Sequence, residues 1–116
     1  MIAGIGIDIE AVARFKESYT DPYFLRLIFT PGEIEYCQRK HEPYISFAGK
    51  FCAKEAVIKA STERLQAKEI EILNEDSGKI TVSVKGQAAP HIVCSISHTE
   101  DYAAAMVILQ QPGGPE

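Results

Sequence analysis

The fold is built around the sequence FAGKFCAKEAVIK, residues 47–59. Strong helix formers dominate this stretch, and Pro43 lies just before it as a helix breaker. We therefore predict a central helix over residues 44–65, around which the other elements have to pack.

Charged residues lie unusually close together on this helix. Glu55 and Lys59 share a face, and Lys50 and Lys54 belong to the neighbouring row. Two interpretations are open at this point. The charges form either a solvated stripe, with a weak Glu55–Lys59 ion pair, or a site where lysines neutralise phosphate oxygens.

The N-terminal residues 2–9 are small or apolar until Asp8, which predicts a buried strand with a carboxylate at its end. A buried carboxylate is costly without a partner. Asp8 is therefore either the N-cap of the next helix or a metal ligand. Glu10 is either a further ligand or a surface residue.

Three shorter helices are predicted between this strand and the central helix. Thr30, Pro31 and Glu33 have the pattern of a capping box, which gives Glu33 a structural role. The predicted helices cover residues 11–19, 23–29 and 31–40.

The second half of the chain alternates in hydrophobicity with period two, which predicts two antiparallel strand pairs. The paired segments are 69–72 with 79–84, and 92–97 with 102–109. An N-terminal strand, several helices and then an antiparallel strand meander indicate an α+β fold. We expect one domain at residues 1–109 and a disordered tail at 110–116, which contains two prolines and two glycines.

The composition excludes several classes of protein. The 116 residues suffice for one domain, and the net charge of −4 argues against general nucleic-acid binding. No apolar run approaches the ~20 residues of a membrane span, and no charged region precedes the N-terminal apolar residues as in a signal peptide. The three cysteines have no Cys-x-x-Cys spacing and predict neither disulfides nor a zinc site. We expect a cytoplasmic protein that binds neither membranes nor nucleic acid.

Asp8 and Glu55 are hard oxygen ligands on two separate elements. Two carboxylates with water suit Mg²⁺, which often completes its shell with substrate phosphate. The residues alone therefore favour a metal-assisted site for a phosphate-bearing ligand.

Three motifs occur in a fixed order: Gly6-x-Asp8, Phe51-x-x-Lys54-Glu55-Ala56-x-x-Lys59 and Ser95-x-Ser97-His98. In this order, and in so short a chain, they resemble the phosphopantetheinyl transferases, in particular the bacterial holo-acyl-carrier-protein synthase branch. The resemblance extends over about residues 1–109 and implies the fold of that family.

The resemblance implies a reaction and roles for individual residues. Such enzymes transfer 4′-phosphopantetheine from coenzyme A to a serine of apo acyl carrier protein and release adenosine 3′,5′-bisphosphate. By resemblance, Asp8 and Glu55 hold Mg²⁺, and Lys59 is a third catalytic residue that binds a phosphate. Lys50 is a second candidate for phosphate, and His98 contacts coenzyme A. A hydrolytic triad around His98 is disfavoured, because triad members meet through tertiary structure and not through neighbouring positions.

The resemblance also implies partners. Acyl carrier proteins are acidic, and Arg14, Lys16 and Arg26 match the basic helix that receives them. Residues 1–68 hold 10 of the 12 Lys and Arg, so an acidic partner would meet this part of the chain. We also expect a homotrimer with coenzyme A bound between subunits. The residues do not identify the group that takes the proton from the serine.

Three alternatives stay open. The acceptor could be a carrier domain of polyketide or peptide synthases, or the chain could bind coenzyme A without turnover. A plain Mg²⁺ phosphohydrolase is disfavoured because no carboxylate cluster for two metals is present.

The chain also departs from the family pattern, since residues 61–67 contain no glycine and Ile80 replaces the proline of a Gly-Lys-Pro turn.

Overall fold

The computed structural model describes residues 1–111, in which four helices lie between an N-terminal strand and the later strands. The strands are β1 (Ile2–Ala11), β2 (Ile70–Asn74), β3 (Ile80–Val84), β4 (Gln87–Ala88), β5 (Ile92–His98) and β6 (Tyr102–Gln110). The helices are α1 (Ala13–Ser18), α2 (Pro22–Ile28), α3 (Pro31–Gln38) and α4 (Pro43–Ala60), and a 3-10 turn covers Ala67–Glu69. The predicted α+β class is confirmed.

The strands form two antiparallel sheets of three strands each. One sheet has the order β1-β6-β5, and the other has the order β2-β3-β4. Both predicted strand pairs, β2 with β3 and β5 with β6, are present in the structure. Helix α4 packs against all three strands of the first sheet and also contacts α1, α3 and β2. The first strand of the chain pairs with the last one, which places Asp8 opposite Ala105.

Helix α4 is shorter than predicted. It begins at Pro43 and ends at Ala60, because the backbone of Ser61 becomes extended. Leu65 was predicted to lie in this helix; it lies beyond it and is still buried in the core. Residue type alone therefore extended the helix too far, since Leu65 suits a helix and fills the core equally well from a loop.

Strand β1 is longer than predicted, and this corrects one interpretation of Asp8. The strand continues to Ala11, and the N–H of Val12 donates to the carbonyl of Asp101 at 2.9 Å. Val12 is the N-cap of α1, without a side-chain cap. The N-cap interpretation of Asp8 is therefore wrong, and the first helix begins at Ala13 rather than at residue 11.

The two faces of β1 differ, so the prediction of a buried strand holds for one face only. Gly6 is buried against α4, whereas Ile5, Ile7 and Ile9 on the opposite face are 63–65% exposed. Ile7 pairs with Met106 of β6, which is also exposed. We call this side of the first sheet the outer face.

The predicted capping box at the start of α3 is confirmed. The hydroxyl of Thr30 accepts from the N–H of Glu33, and the Glu33 carboxylate accepts from the N–H of Thr30. The helix ends at Gln38, two residues before the predicted end.

The last described strand and the loop after α4 complete the fold. Gln110 ends β6, and its N–H donates to the carbonyl of His91 at 2.9 Å, so the predicted tail does not begin at residue 110. Residues 112–116 of that predicted tail lie outside the described residues. The glycine-free loop, residues 61–67, is tied to the second sheet by an ion pair of 2.6 Å between Glu63 and Lys85.

No helix within residues 1–111 combines the length and the hydrophobicity that a membrane crossing requires.

Candidate functional site

The candidate site lies where β1 crosses α4. A Cβ atom added to Gly4 or to Gly6 would overlap the backbone carbonyl of Ala60 or Ala56 on the helix. Glycine is therefore required at both positions for this close approach. Because alternate residues of a strand share a face, the same approach turns Asp8 toward the helix.

Asp8 presents one paired and one unpaired oxygen. Its side chain is only 10% exposed, and its Oδ1 accepts a hydrogen bond of 3.0 Å from the Nζ of Lys59. That Nζ also donates to the carbonyl of Ile7 at 3.0 Å. Oδ2 is the one buried side-chain oxygen or nitrogen of residues 1–111 that lacks a hydrogen-bond partner. Since an unpaired buried oxygen is costly, the chemistry of this position fits a bound cation.

Glu55 lies one turn before Lys59 on α4 and is half-buried. The hydrogen bond that Lys59 donates to Asp8 is the main cause that raises the pKa of Lys59, and the charges of Asp8, Glu55 and Glu10 raise it further. The Lys59 ammonium therefore lies in the field of three carboxylates. Within the described residues, no three acidic, histidine or cysteine side chains are close enough to hold a metal by themselves. A metal on Asp8 and Glu55 would need further ligands from water or substrate.

Glu10 connects this site to α1. Arg14 lies 3.3 Å from the Oε1 of Glu10, and its guanidinium also lies 5.0 Å from the ring centroid of Phe51 on α4. Burial, followed by the neighbouring Asp8, raises the pKa of Glu10. Among the basic residues predicted to receive a carrier protein, Arg14 is therefore the one whose contacts reach the candidate site.

The other two predicted carrier-binding residues lie further out. Lys16 is exposed on α1, with its Nζ 5.2 Å from the ring centroid of Tyr44. Arg26 is exposed on α2 and lines a groove between α2 and α3, together with Ile34 and Arg39. The structure thus places all three on helices of the N-terminal half.

The structure does not place Lys50 or Lys54 beside Asp8 and Glu55. Lys50 is 3% exposed, and its Nζ donates to the carbonyl of Ile72 and to Oδ1 of Asn74, both at 2.6 Å. Lys54 is fully buried and pairs with Glu33. The interpretation of a solvated stripe is wrong for both lysines. Lys50 and Lys59 are nine positions apart, which puts them on opposite sides of the helix. The phosphate role of Lys50 stays a prediction.

His98 is the last residue of β5, which extends one residue beyond the predicted strand 92–97. It is exposed and pairs with Ala103, which on its other side pairs with Glu10. Two strand spacings, about 9.5 Å, therefore separate the backbones of His98 and Glu10. His98 lines a shallow groove with Ile9 and Tyr102.

The sequence interpretation missed the reason why β1 and α4 meet. Gly4 and Gly6 are two residues apart and therefore lie on one face of the strand, two residues from Asp8. A strand with two glycines on one face predicts close approach of another backbone, and this signal was present in the sequence.

A family model described as the 4′-phosphopantetheinyl transferase superfamily matches residues 4–107. Two curated relatives are both described as holo-(acyl-carrier-protein) synthases. The one from Chloroherpeton thalassium is 39% identical, and the match covers 91% of this chain and 96% of the relative. The one from Thermodesulfovibrio yellowstonii is 41% identical, and the match covers 94% and 99% of the two chains.

Two solved structures with a similar fold are also holo-(acyl-carrier-protein) synthases. The holo-(acyl-carrier-protein) synthase of Bacillus anthracis, solved with CoA (3′,5′-ADP), superposes with a TM-score of 0.82 at 31% identity, covering 97% of this chain and 99% of the other. The Helicobacter pylori enzyme, solved with coenzyme A, has a TM-score of 0.76 at 28% identity and covers 91% and 99%.

Proposed function

Because the chain belongs to the 4′-phosphopantetheinyl transferase superfamily, we propose that it transfers 4′-phosphopantetheine from coenzyme A to apo acyl carrier protein. The family predicted from the sequence motifs is thereby confirmed. In the proposed reaction the serine hydroxyl of the carrier protein attacks the phosphorus that bears the pantetheine arm. The bond from this phosphorus to the bridging oxygen breaks, adenosine 3′,5′-bisphosphate leaves, and the serine loses its proton.

The observation that carries this proposal is the unpaired Oδ2 of Asp8 beside α4, near Glu55. We assign Asp8 and Glu55 as the protein ligands of a Mg²⁺ ion, with water and a substrate phosphate as the remaining ligands. When bound, such an ion stabilises the negative charge that develops on the transferred phosphoryl group. The buried position of Asp8 supports this role, because charges interact more strongly where water is excluded.

Lys59 is the basic residue that contacts Asp8 at this site. We assign it to a phosphate oxygen of coenzyme A, since its side chain is 52% exposed and can turn away from Asp8 toward a ligand. The base that accepts the serine proton is left unassigned.

The carrier protein would dock on the basic residues of the N-terminal helices, Arg14, Lys16 and Arg26. Arg14 supports this most directly, because it contacts Phe51 one turn before Glu55. An acidic helix held there would bring its serine close to the metal ligands.

We propose that the outer face is a subunit interface of a homotrimer. Ile5, Ile7 and Ile9 form an apolar stripe that single folded chains rarely expose. His98 lines a groove beside Ile9, so at such an interface it would reach coenzyme A bound mainly to the neighbouring subunit. The expected cytoplasmic location also stays a prediction.

The test is the intact mass of an apo acyl carrier protein after incubation with this protein, coenzyme A and Mg²⁺, with an EDTA control. A gain of one phosphopantetheine that EDTA prevents is the expected result. A panel of fatty-acid, polyketide and peptide carrier domains identifies the acceptor class. No gain on any carrier, with coenzyme A still bound, would favour a coenzyme A-binding protein without turnover.

A further inference from the structure

We propose that Lys59 is a built-in counter-ion that stays on Oδ1 of Asp8, beside the open oxygen Oδ2, until substrate phosphate draws it away. The metal and the phosphate-bearing substrate would then bind synergistically, and the free protein would hold the metal only weakly. This inference rests on the proposed function and adds the order in which the site is assembled.

The contacts of Lys59 are those of a displaceable cation. Its Nζ lies 3.0 Å from Oδ1 of Asp8 and 3.0 Å from the carbonyl of Ile7. The lysine side chain is 52% exposed, whereas that of Asp8 is 10% exposed. The carboxylate is therefore fixed in the protein, while the lysine arm is free to move into solvent.

Only one of the two carboxylate oxygens of Asp8 has a positively charged partner. Oδ2 is buried without a partner, although Oδ1 is paired with Lys59. Glu55 and Glu10 add negative charge around the same ammonium, and Arg14 neutralises Glu10 from the far side. The single ammonium of Lys59 therefore pairs with one oxygen of Asp8 and leaves the other oxygen free to accept a further cation.

A divalent cation and the Lys59 ammonium repel each other if both contact Asp8, because like charges a few ångströms apart repel. Metal alone must therefore either bind at Oδ2 against this repulsion or displace Lys59 without offering it a new partner. A phosphate gives Lys59 that partner, and the metal in turn neutralises carboxylates that would repel the phosphate. Each ligand lowers the cost of binding the other, and this coupling is reciprocal.

The experiment measures binding of Mn²⁺, used as an oxygen-preferring probe in place of Mg²⁺. The loss of the free Mn²⁺ signal in electron paramagnetic resonance gives its Kd for the protein alone and for the protein saturated with coenzyme A. For the wild type we expect coenzyme A to lower this Kd at least about fivefold, the lower end of typical coupling between sites.

Substitutions at Lys59 test the mechanism of the coupling. Lys59→Met should bind Mn²⁺ more tightly than the wild type without coenzyme A. Coenzyme A should then lower the Kd by a smaller factor than in the wild type, because only direct ligation of the metal by phosphate remains. Lys59→Arg keeps the charge and should retain weak binding and coupling. Lys85→Met is the matched control, because Lys85 is 51% exposed and pairs with Glu63 instead. It should leave Mn²⁺ binding unchanged.

The outcomes separate this inference from the proposed function. Unchanged Mn²⁺ affinity in Lys59→Met, or coupling equal to that of the wild type, would overturn the role of Lys59 while leaving the metal site intact. Absence of Mn²⁺ binding to the wild type with and without coenzyme A, or normal binding to Asp8→Asn, would overturn the metal assignment itself.

Discussion

Nζ of Lys54 lies 2.6 Å from Oε1 of Glu33, and both side chains are completely buried. The same ammonium donates to three backbone carbonyls, those of Ile28, Ala67 and Ile70. Burial lowers the pKa of Lys54, while Glu33 acts in the opposite direction and favours the charged form. The Lys54 ammonium therefore ties α2, α3, the 3-10 turn and β2 to α4, the helix that also carries Glu55.

Glu33→Gln should cost about 3–5 kcal/mol of unfolding free energy, because it leaves the buried Lys54 ammonium without its counter-charge. Urea unfolding followed by circular dichroism measures this loss. Glu63→Gln, which removes the exposed partner of Lys85, is the control and should have little effect. A loss in Glu33→Gln no larger than that of the control would contradict the structural role of this pair.

Gly6→Ala should disrupt the packing of β1 on α4, because the added Cβ would overlap the carbonyl oxygen of Ala56. We expect a loss of about 1–3 kcal/mol or more in thermal or urea unfolding. Gly32→Ala is the matched control, since its Cβ would meet only the flexible end of the Glu71 side chain. Equal stability of the two variants would show that the strand and the helix do not need this close contact.

Ile7→Lys should dissociate the proposed homotrimer, because it places a charge in the middle of the outer face, where Ile7 is 65% exposed. Light scattering after size exclusion gives the mass of the species in solution. Leu73→Lys alters a leucine that is 40% exposed on the other sheet and should leave that mass unchanged. A monomeric wild type would refute the proposed interface.

Arg14→Glu should raise the KM for the carrier protein at least about tenfold, because one charge contact at such an interface typically contributes 1.5 kcal/mol or more. Coenzyme A affinity, measured by calorimetry, should stay close to that of the wild type. Lys79→Glu makes the same charge change at an exposed turn and serves as the control. Loss of coenzyme A binding in Arg14→Glu would instead indicate a damaged site.

Much of the fold could be predicted because the local signals are strong. The capping box at Thr30 and the alternation of residues 79–84 specify their elements without help from distant residues. The end of α4 could not be predicted, since Leu65 is apolar whether it continues a helix or fills the core from a loop. Where an element ends because of tertiary packing, a short stretch of sequence does not contain the information needed to predict that end.

The candidate site was predictable in its residue types but not in its contacts. Asp8 and Glu55 stand out as carboxylates in apolar surroundings. Helical spacing also grouped Lys50 and Lys54 with them, and the structure separates these lysines because β2 and α3 cover that side of α4. The choice of partner for each lysine depends on which element packs on which side, and this information is tertiary.

The most direct test of the account is the rate at which Asp8→Asn modifies an apo acyl carrier protein, followed by intact mass. The substitution keeps the size of the side chain but removes the charge that would hold Mg²⁺, so we expect a rate about 100- to 1000-fold below that of the wild type. Circular dichroism should show that the variant is folded. Near-normal transfer by folded Asp8→Asn would contradict the assignment of Asp8 as a metal ligand and with it the proposed mechanism.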